Sequence, residues 1–354
     1  MNYIEIFSGI GGFRRALDHL NKDYSTSFHC KAFSEIDPYA IKNYEANYNL
    51  NGEIRMGDIN AFASSLSNVK KIPNFKLLVG GFPCQTFSLM GKRKGLEDER
   101  GKVLFSIDKI LTTKKPEYII LENVRNLAVV NKGKTLDYIK DFFKEHGYKH
   151  VVHVLLDTQK FGLPQKRSRI FIVCSRNSPL PEISEELVVN NFKEIKNHSL
   201  CIYENVLDIL EKNVNEKYTI KPKTKKIILA NGSKNFWSKS EIDLPIARTL
   251  TATMAKMHRA SQDNYYSEEF IKENKSNRTT SKEEILMNKP IRRLTPLEAI
   301  KLQGFTDEFG ANAVKAGISD TQLYKQAGNA LSVNTAYALL HYLFVKSEIQ
   351  SIKR

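Results

Sequence analysis

The first 175 residues alternate short apolar runs with stretches of helical spacing, and few architectures accept that order. "NYIEIF" reads as a strand and "GFRRALDHL", after a glycine turn, as a helix. "HCKAFSEID" is strand-like, and "PYAIKNYEANY" is helical with Pro38 in the first-turn position. "FKLLVGGF", "EYIILENV" and "RIFIVCS" are further apolar, β-branched runs. The alternation predicts an α/β fold: a Rossmann-like, doubly wound, mostly parallel sheet, with ligands at the C-terminal ends of its strands.

After about residue 178 the texture changes. "NSPLPEISEELVVNNFKEIKNHSL" and "EKNVNEKYTIKPKTKKIILANGSKNFW" show no βα alternation, and "SEEFIKENKSNRTTSKEEILMNKP" has the polarity of a long loop. This segment predicts a second, smaller, irregular domain. Between Lys217 and Arg293 stand 17 Lys and Arg against eight Asp and Glu, so the segment carries +9 of the chain's +15. Such a balance points to an anionic partner, nucleic acid first, although "KPKTKK" is equally readable as a solvated charge run. Helical pattern returns in "TPLEAIKLQGF", with a Thr cap and a Pro at the first helical position, and in the long apolar stretch after "QLYKQAGNALSVN".

No apolar run approaches the roughly 18 residues of a membrane helix. "MNYIEIFSGIGGF" has no basic region and apolar core of a signal peptide, so a cytoplasmic protein without membrane association is expected. Cys30, Cys84, Cys174 and Cys201 form no C-x-x-C pair, which argues against a zinc site or a disulfide framework.

Three places carry chemistry. In "EIFSGIGGF" glycines between a strand and a helix let backbone N–H groups approach a ligand, though the spacing departs from G-x-G-x-x-G. Glu35, ending the second strand, can accept from ribose hydroxyls, and Asp58 from an adenine amino group; Asp58 is equally explained as a helix cap. Together these features read as a site for an adenosine-bearing cofactor. Cys84 follows Pro83 on a turn and precedes polar residues, a setting for a reactive thiolate rather than an inert core thiol. Glu122, in "EYIILENVRNL", ends another strand on the same rim. Arg167 and Arg169, in "LPQKRSRIFIV", are two residues apart at the entrance to one more strand, where alternate side chains share a face and suit a phosphate or a base carbonyl.

These pieces, in this order, resemble the bacterial DNA (cytosine-5)-methyltransferases of restriction-modification systems: the F-x-G-x-G-G turn, the acidic second-strand end, Pro-Cys-Gln, Glu-Asn-Val, Gln-x-Arg-x-Arg, "RRLTPLEAIKLQGF" and "YKQAGNALSVN". Only residues from about 178 to 290 fall outside the shared pattern, where that family holds a variable target-recognition domain. The resemblance implies a catalytic domain over 1–178 plus 320–354, a recognition domain over 179–300 and a hinge over 301–319, with DNA between the domains. It implies Cys84, Glu122, Arg167 and Arg169 as catalytic residues, and S-adenosylmethionine, released as S-adenosylhomocysteine, held by Phe7, Gly9, Gly11, Glu35, Ile36, Asp58, Ile59, Asn329 and Ala330. Double-stranded DNA would meet Gln85, Ser88, Arg248, Thr249, Leu250, Lys256, His258 and Arg259. The loop after Cys84, "SLMGKRKGLEDERG", is the expected lid, and Phe236 and Trp237 are expected in the core of the small domain. No metal is implied, and a monomer is expected.

Two relatives in fold compete. A transfer-RNA cytosine-5 methyltransferase would show Pro-Pro-Cys and Cys-Phe-Thr, whereas this chain has Phe82-Pro83-Cys84 and no such tripeptide. A DNA-binding protein without catalysis would have no need of Cys84, Glu122 and Arg169 together.

Overall fold

Five short parallel strands follow one another through the first third of the chain: β1 (Asn2–Ile6), β2 (His29–Phe33), β3 (Ile54–Arg55), β4 (Leu77–Gly81) and β5 (Tyr118–Val124). With β6 (His150–Asp157) and β8 (Ser168–Ser175) they form one seven-stranded sheet in the order β3-β2-β1-β4-β5-β8-β6, in which β8 runs antiparallel to both neighbours. The two-residue β7 (Gln165–Lys166) lies outside this sheet. The computed structural model describes residues 1–82, 99–233, 236–256, 260–273 and 289–346. Cys84, Gln85, Ser88, His258, Arg259 and most of the expected lid lie outside the described residues.

The chain divides into two compact units. Unit 1 is Met1–Asp157, Ser168–Ser199 and Thr335–Arg354; unit 2 is Thr158–Arg167 and Leu200–Asn334. In unit 1 the strands are apolar on both faces because helices cover both, as in other doubly wound sheets. Ile4, Ile6, Leu78, Ile119, Leu121, Ile170 and Ile172 form one core with Ile107, Ile110 and Leu111 of the helix Glu99–Lys114 and with Ile139 and Phe143 of the helix Lys134–Glu145. Helix α1 (Gly12–Tyr24) buries Phe13, Ala16, Leu17 and Leu20, one face at helical spacing. Helix α2 (Pro38–Asn47) starts where Asp37 accepts from the N–H groups of Tyr39 and Ala40, with Pro38 in its first turn. Strand order reverses between β1 and β4, so the segments leaving these two strands flank the switch point where such sheets bind ligands. Gly80 is required there by close approach: a Cβ would stand 2.3 Å from the Ile6 carbonyl oxygen.

Unit 2 is irregular, as expected for the second domain. Its strands are two or three residues long: β7 with β11 (Ala247–Arg248), β9 (Gly232–Ser233) with β10 (Phe236–Trp237), and β12 (Tyr265–Ser267) with β13 (Ile291–Arg293). Ile220, Ile228, Leu229, Ile242, Ala260, Tyr265 and Ile291 make an apolar cluster. The helix Pro296–Lys301 has the expected Thr295 cap, closed by Glu298 into a capping box. Glu298 also takes both Arg292 Nη atoms, at 2.7 and 2.8 Å, in a buried fork.

The units are bounded elsewhere than the expected domains. Residues 179–199 group with unit 1, where the helix Glu185–Glu194 buries Val188 and Phe192 and Glu185 accepts from the Asp157 N–H. The expected hinge, 301–319, holds the helix Asp307–Lys315 and buries Phe305, Phe309 and Ala313 in unit 2. Residues 320–334 belong to unit 2, and only Thr335 onward to unit 1. Among the described residues no helix is long and apolar enough to cross a membrane.

Candidate active site

The glycine turn after β1 has left-handed backbone at three of five residues: Phe7 (φ 53°), Gly9 (φ 54°) and Gly11 (φ 81°). For Phe7 that conformation costs about 1–3 kcal/mol and persists only because neighbours enforce it. The Phe7 N–H donates to Ser34 Oγ at 3.0 Å, the Ser8 N–H to the Ser34 carbonyl at 2.9 Å, and the Gly9 N–H to Glu35 Oε2 at 2.8 Å. Glu35 Oε1 accepts from the Ile36 and Asp37 N–H groups, each at 2.8 Å, so one carboxylate ties the turn to the end of β2. At Gly9 a Cβ would meet nothing within 4 Å, whereas at Gly11 it would strike the Tyr48 ring at 2.6 Å. The Tyr48 hydroxyl donates to the Gly11 carbonyl at 2.7 Å. Beside Glu35, Ile36 is 71% exposed. Asp58 caps the helix Ile59–Ser64 through the Asn60 N–H, and Ile59 is buried. The expected cofactor residues Phe7, Gly9, Gly11, Glu35 and Ile36 are thus brought together; Asn329 and Ala330 belong to unit 2.

Under the turn, Glu5 is buried within β1 and accepts from the Tyr44 hydroxyl at 3.4 Å. Arg14 Nη1 donates to the same hydroxyl oxygen, and Nη2 reaches Glu53 at 2.9 Å. Burial pushes the Glu5 carboxyl up to about 8, against the opposing charge of Arg14.

At the end of β5, Glu122 stands opposite Gly81 of β4. A Cβ on Gly81 would come 3.3 Å from Glu122 Oε2, so glycine leaves the carboxylate its space. Arg169 Nε lies 2.9 Å from Glu122 Oε1, both side chains 14% exposed. Burial lowers the Arg169 guanidinium from its ordinary value, and Glu122 opposes that shift. The neighbouring Asn123, buried, donates from Nδ2 to the Phe82 carbonyl at 2.8 Å and accepts its neighbour Val124's N–H on Oδ1. It therefore holds the last backbone group before Pro83 and Cys84.

Arg167 does not join Arg169. It belongs to unit 2, is 2% exposed, and donates to the carbonyls of Leu250 at 3.1 Å, Gly328 at 3.1 Å and Ala330 at 2.8 Å. Its guanidinium is thus engaged by three backbone carbonyls. The reason is local: β7 ends at Lys166 and β8 begins at Ser168, so Arg167 and Arg169 are not alternate residues of one strand. Leu250 is 3% exposed, its N–H on Gln165 Oε1, and the Arg248 guanidinium is turned onto Glu241. Thr249 is only half-buried, its hydroxyl on the Lys166 carbonyl, and Lys256 is exposed.

The family described as C-5 cytosine-specific DNA methylase matches residues 1–344. The chain belongs to this family. The methylase is 34% identical over 346 residues to the type II methyltransferase M1.ScrFI of Lactococcus lactis subsp. cremoris, covering 95% of this chain and 76% of that one. It is 32% identical over 339 residues to the type II methyltransferase M.HhaI of Haemophilus parahaemolyticus, covering 94% and 91%. In fold it resembles the solved EhMeth methyltransferase of Entamoeba histolytica (TM-score 0.73, 24% identity, 98% of both chains) and the Dnmt2 methyltransferase of S. pombe (TM-score 0.75, 21% identity, 98% and 99%). Its activity is that of its family, methyl transfer to C5 of cytosine in DNA.

Three features of the methylase escaped the sequence. Ser34 and Tyr48 anchor the glycine turn from 27 and 37 residues away, and the only hint is a Ser before the strand-ending Glu35. Gly328 needs to be glycine because a Cβ would stand 2.2 Å from the Thr251 backbone, not because of its φ. Trp237, expected in a core, is 73% exposed; among the described residues the aromatic that joins the apolar cluster of unit 2 is Tyr265.

Proposed function

We propose that this methylase acts as the modification enzyme of a type II restriction system, moving the methyl group of S-adenosylmethionine to a cytosine flipped out of duplex DNA at a specific sequence. The observation that carries this reading is the Glu122–Arg169 pair beside the Asn123 clamp on Phe82, two residues before Cys84. The turn after β1 fits the cofactor: the missing Cβ of Gly9 leaves open space, and an exposed apolar Ile36 adjoins a carboxylate. Phe7, Gly9, Gly11, Glu35 and Ile36 would hold it, with Asp58 and Ile59 at the next strand end. When bound, the cofactor supplies an electrophilic methyl carbon.

Carbon 5 of cytosine is a weak nucleophile, so the Cys84 thiolate would add to C6 and make C5 an enamine carbon. Glu122 would hydrogen-bond the N3 and amino edge, and Arg169, already held by Glu122, the base carbonyl. After methylation, loss of the C5 proton breaks the C6–S bond and returns the thiolate. Extruding the base from the stack costs about a few kcal/mol. Lys256, exposed in unit 2, and His258 and Arg259 beyond the described residues remain the proposed DNA contacts of that segment.

Labelled-methyl transfer to unmethylated duplex DNA, followed by mapping of 5-methylcytosine, tests the reading. Wild-type protein should label cytosine in one sequence context, and Cys84→Ser should reduce transfer to background. Retained transfer by Cys84→Ser would overturn the covalent mechanism.

A further inference from the structure

Helix α2 holds the glycine turn from both of its ends. On its N-terminal side Glu35 takes the Gly9 N–H at 2.8 Å on one oxygen and the N–H groups of Ile36 and Asp37 on the other. At its C-terminal end stands Tyr48, whose own N–H closes the helix on the Tyr44 carbonyl at 3.0 Å. The Tyr48 hydroxyl turns back to the Gly11 carbonyl at 2.7 Å and the Ile10 carbonyl at 3.2 Å. Tyr48 is itself fixed from several sides. It is buried, it packs tilted on Tyr44 with ring centroids 4.6 Å apart, and the guanidinium carbons of Arg14 and Arg15 stand 4.9 and 5.0 Å from its ring centroid. Both arginines belong to α1, the helix that leaves the turn. Arg14 is held in its turn by Glu53 at 2.9 Å, the Asn49 carbonyl at 3.0 Å and the Tyr44 hydroxyl at 3.2 Å. Burial raises the Tyr48 hydroxyl above its ordinary value, so it stays a donor.

The Gly11 carbonyl already accepts the Arg15 N–H at 2.9 Å, the first bond of α1, so the helix itself needs no second donor there. What the second bond adds is direction. In a trans peptide the C=O and the following N–H point opposite ways, so the bond that aims the Gly11 carbonyl at Tyr48 aims the Gly12 N–H away from it. That N–H is among the four at the start of α1 that the helix leaves without an internal partner. We propose that Tyr48 is a positioning residue for the cofactor: through the Gly11 and Ile10 carbonyls it sets the direction in which the turn and the start of α1 present their N–H groups. The proposal rests on the cofactor reading above. It gives a role to a side chain that touches only the far side of the turn.

Two hydroxyls of one network make the test. Tyr48→Phe keeps the ring beneath its two cations and removes only the bonds to the turn, whereas Tyr44→Phe removes a hydroxyl that reaches Glu5 and Arg14 and not the turn. Calorimetric titration of the full-length protein with S-adenosylhomocysteine gives the Kd without turnover, and urea unfolding of the same preparations gives stability. Both variants should lose stability to a similar degree. Tyr48→Phe should weaken the Kd roughly tenfold, the equivalent of one hydrogen bond, and raise the KM for S-adenosylmethionine in step while the KM for DNA holds. Tyr44→Phe should leave the Kd at its wild-type value. Wild-type binding with an unchanged Kd in Tyr48→Phe overturns the proposal and leaves the cofactor reading intact. An equal loss of affinity in both variants reduces Tyr48 to a structural role and overturns the proposal as well. Absence of binding by the wild-type protein overturns the cofactor reading and the proposal together.

Discussion

Arg167 and Arg169 stand two residues apart and show how differently the two units handle buried charge. In unit 1 the long ladders of the sheet satisfy the backbone, so a side chain at its rim is free for another task, and Arg169 faces a carboxylate. In unit 2 strands of two or three residues leave many carbonyls without ladder partners. Side-chain donors take their place: Arg167 on Leu250, Gly328 and Ala330, Gln165 on Leu302, Gln303 on Ala327, and Asn334 on Phe161 and Cys201. The same residue type meets a carboxylate in one unit and backbone carbonyls in the other, and the backbone around it decides which.

The contrast is sharpest where charge is removed from one member at a time. Glu122→Gln keeps shape and hydrogen bonding but loses the carboxylate that faces Arg169 and the base. We expect kcat to fall about 10²–10⁴-fold, the usual weight of a proton-handling group, while the thermal midpoint falls little because the glutamine Oε1 can still accept from Arg169 Nε. Single-turnover methyl transfer and calorimetry on the same preparation check it. A large loss of stability with little loss of rate would place Glu122 among the framework residues.

Arg167→Met should do the reverse. It leaves three buried carbonyls without their donor, and the loss is expected to be about 3 kcal/mol of stability or more. The fraction that remains folded should keep its rate within about tenfold, since the guanidinium is engaged by three backbone carbonyls. Urea unfolding gives the first number, and rates normalised to active sites the second. A rate collapse at full stability would place Arg167 with the catalytic residues.

Much of unit 1 was legible because its signals are local. The strand–helix alternation, Pro38 after an Asp cap, and the Thr295–Glu298 box each lie within a few residues of what they determine. The Glu122–Arg169 meeting was legible only as two strand ends on one rim; the 2.9 Å contact depends on β8 pairing antiparallel beside β5, a long-range fact. Arg167 misled because strict alternation holds only inside one strand, and the strand breaks there. Trp237 misled because aromatics usually serve a core, whereas among the described residues the small cluster of unit 2 is built of aliphatic side chains and Tyr265. Gly11 was readable as a turn glycine from its neighbours, whereas Gly328 answers to Thr251, 77 residues away in the chain and invisible in the local pattern.

A buried charge that unit 1 handles by neutralising it completes the contrast, its effect spread over several pH units. Glu5 sits in β1 beneath the glycine turn, and burial raises its carboxyl to about 8, with Asp18 adding to the shift and Arg14 and the Tyr44 hydroxyl opposing it. The unfolded chain releases this proton near the ordinary carboxylate value, while the folded chain keeps it until about pH 8. Between those values the folded state binds the extra proton, so stability falls as pH rises through the window and levels off above it. The slope is at most about 1.4 kcal/mol per pH unit from one such group. Glu5→Gln removes the titration while keeping a neutral acceptor for Tyr44, so the difference in unfolding free energy between variant and wild type should shift in favour of the variant from pH 5 to pH 8. Parallel curves over that range would mean that Glu5 is already ionised in the folded protein, and that Arg14 balances it as fully as the three carbonyls balance Arg167 in the other unit.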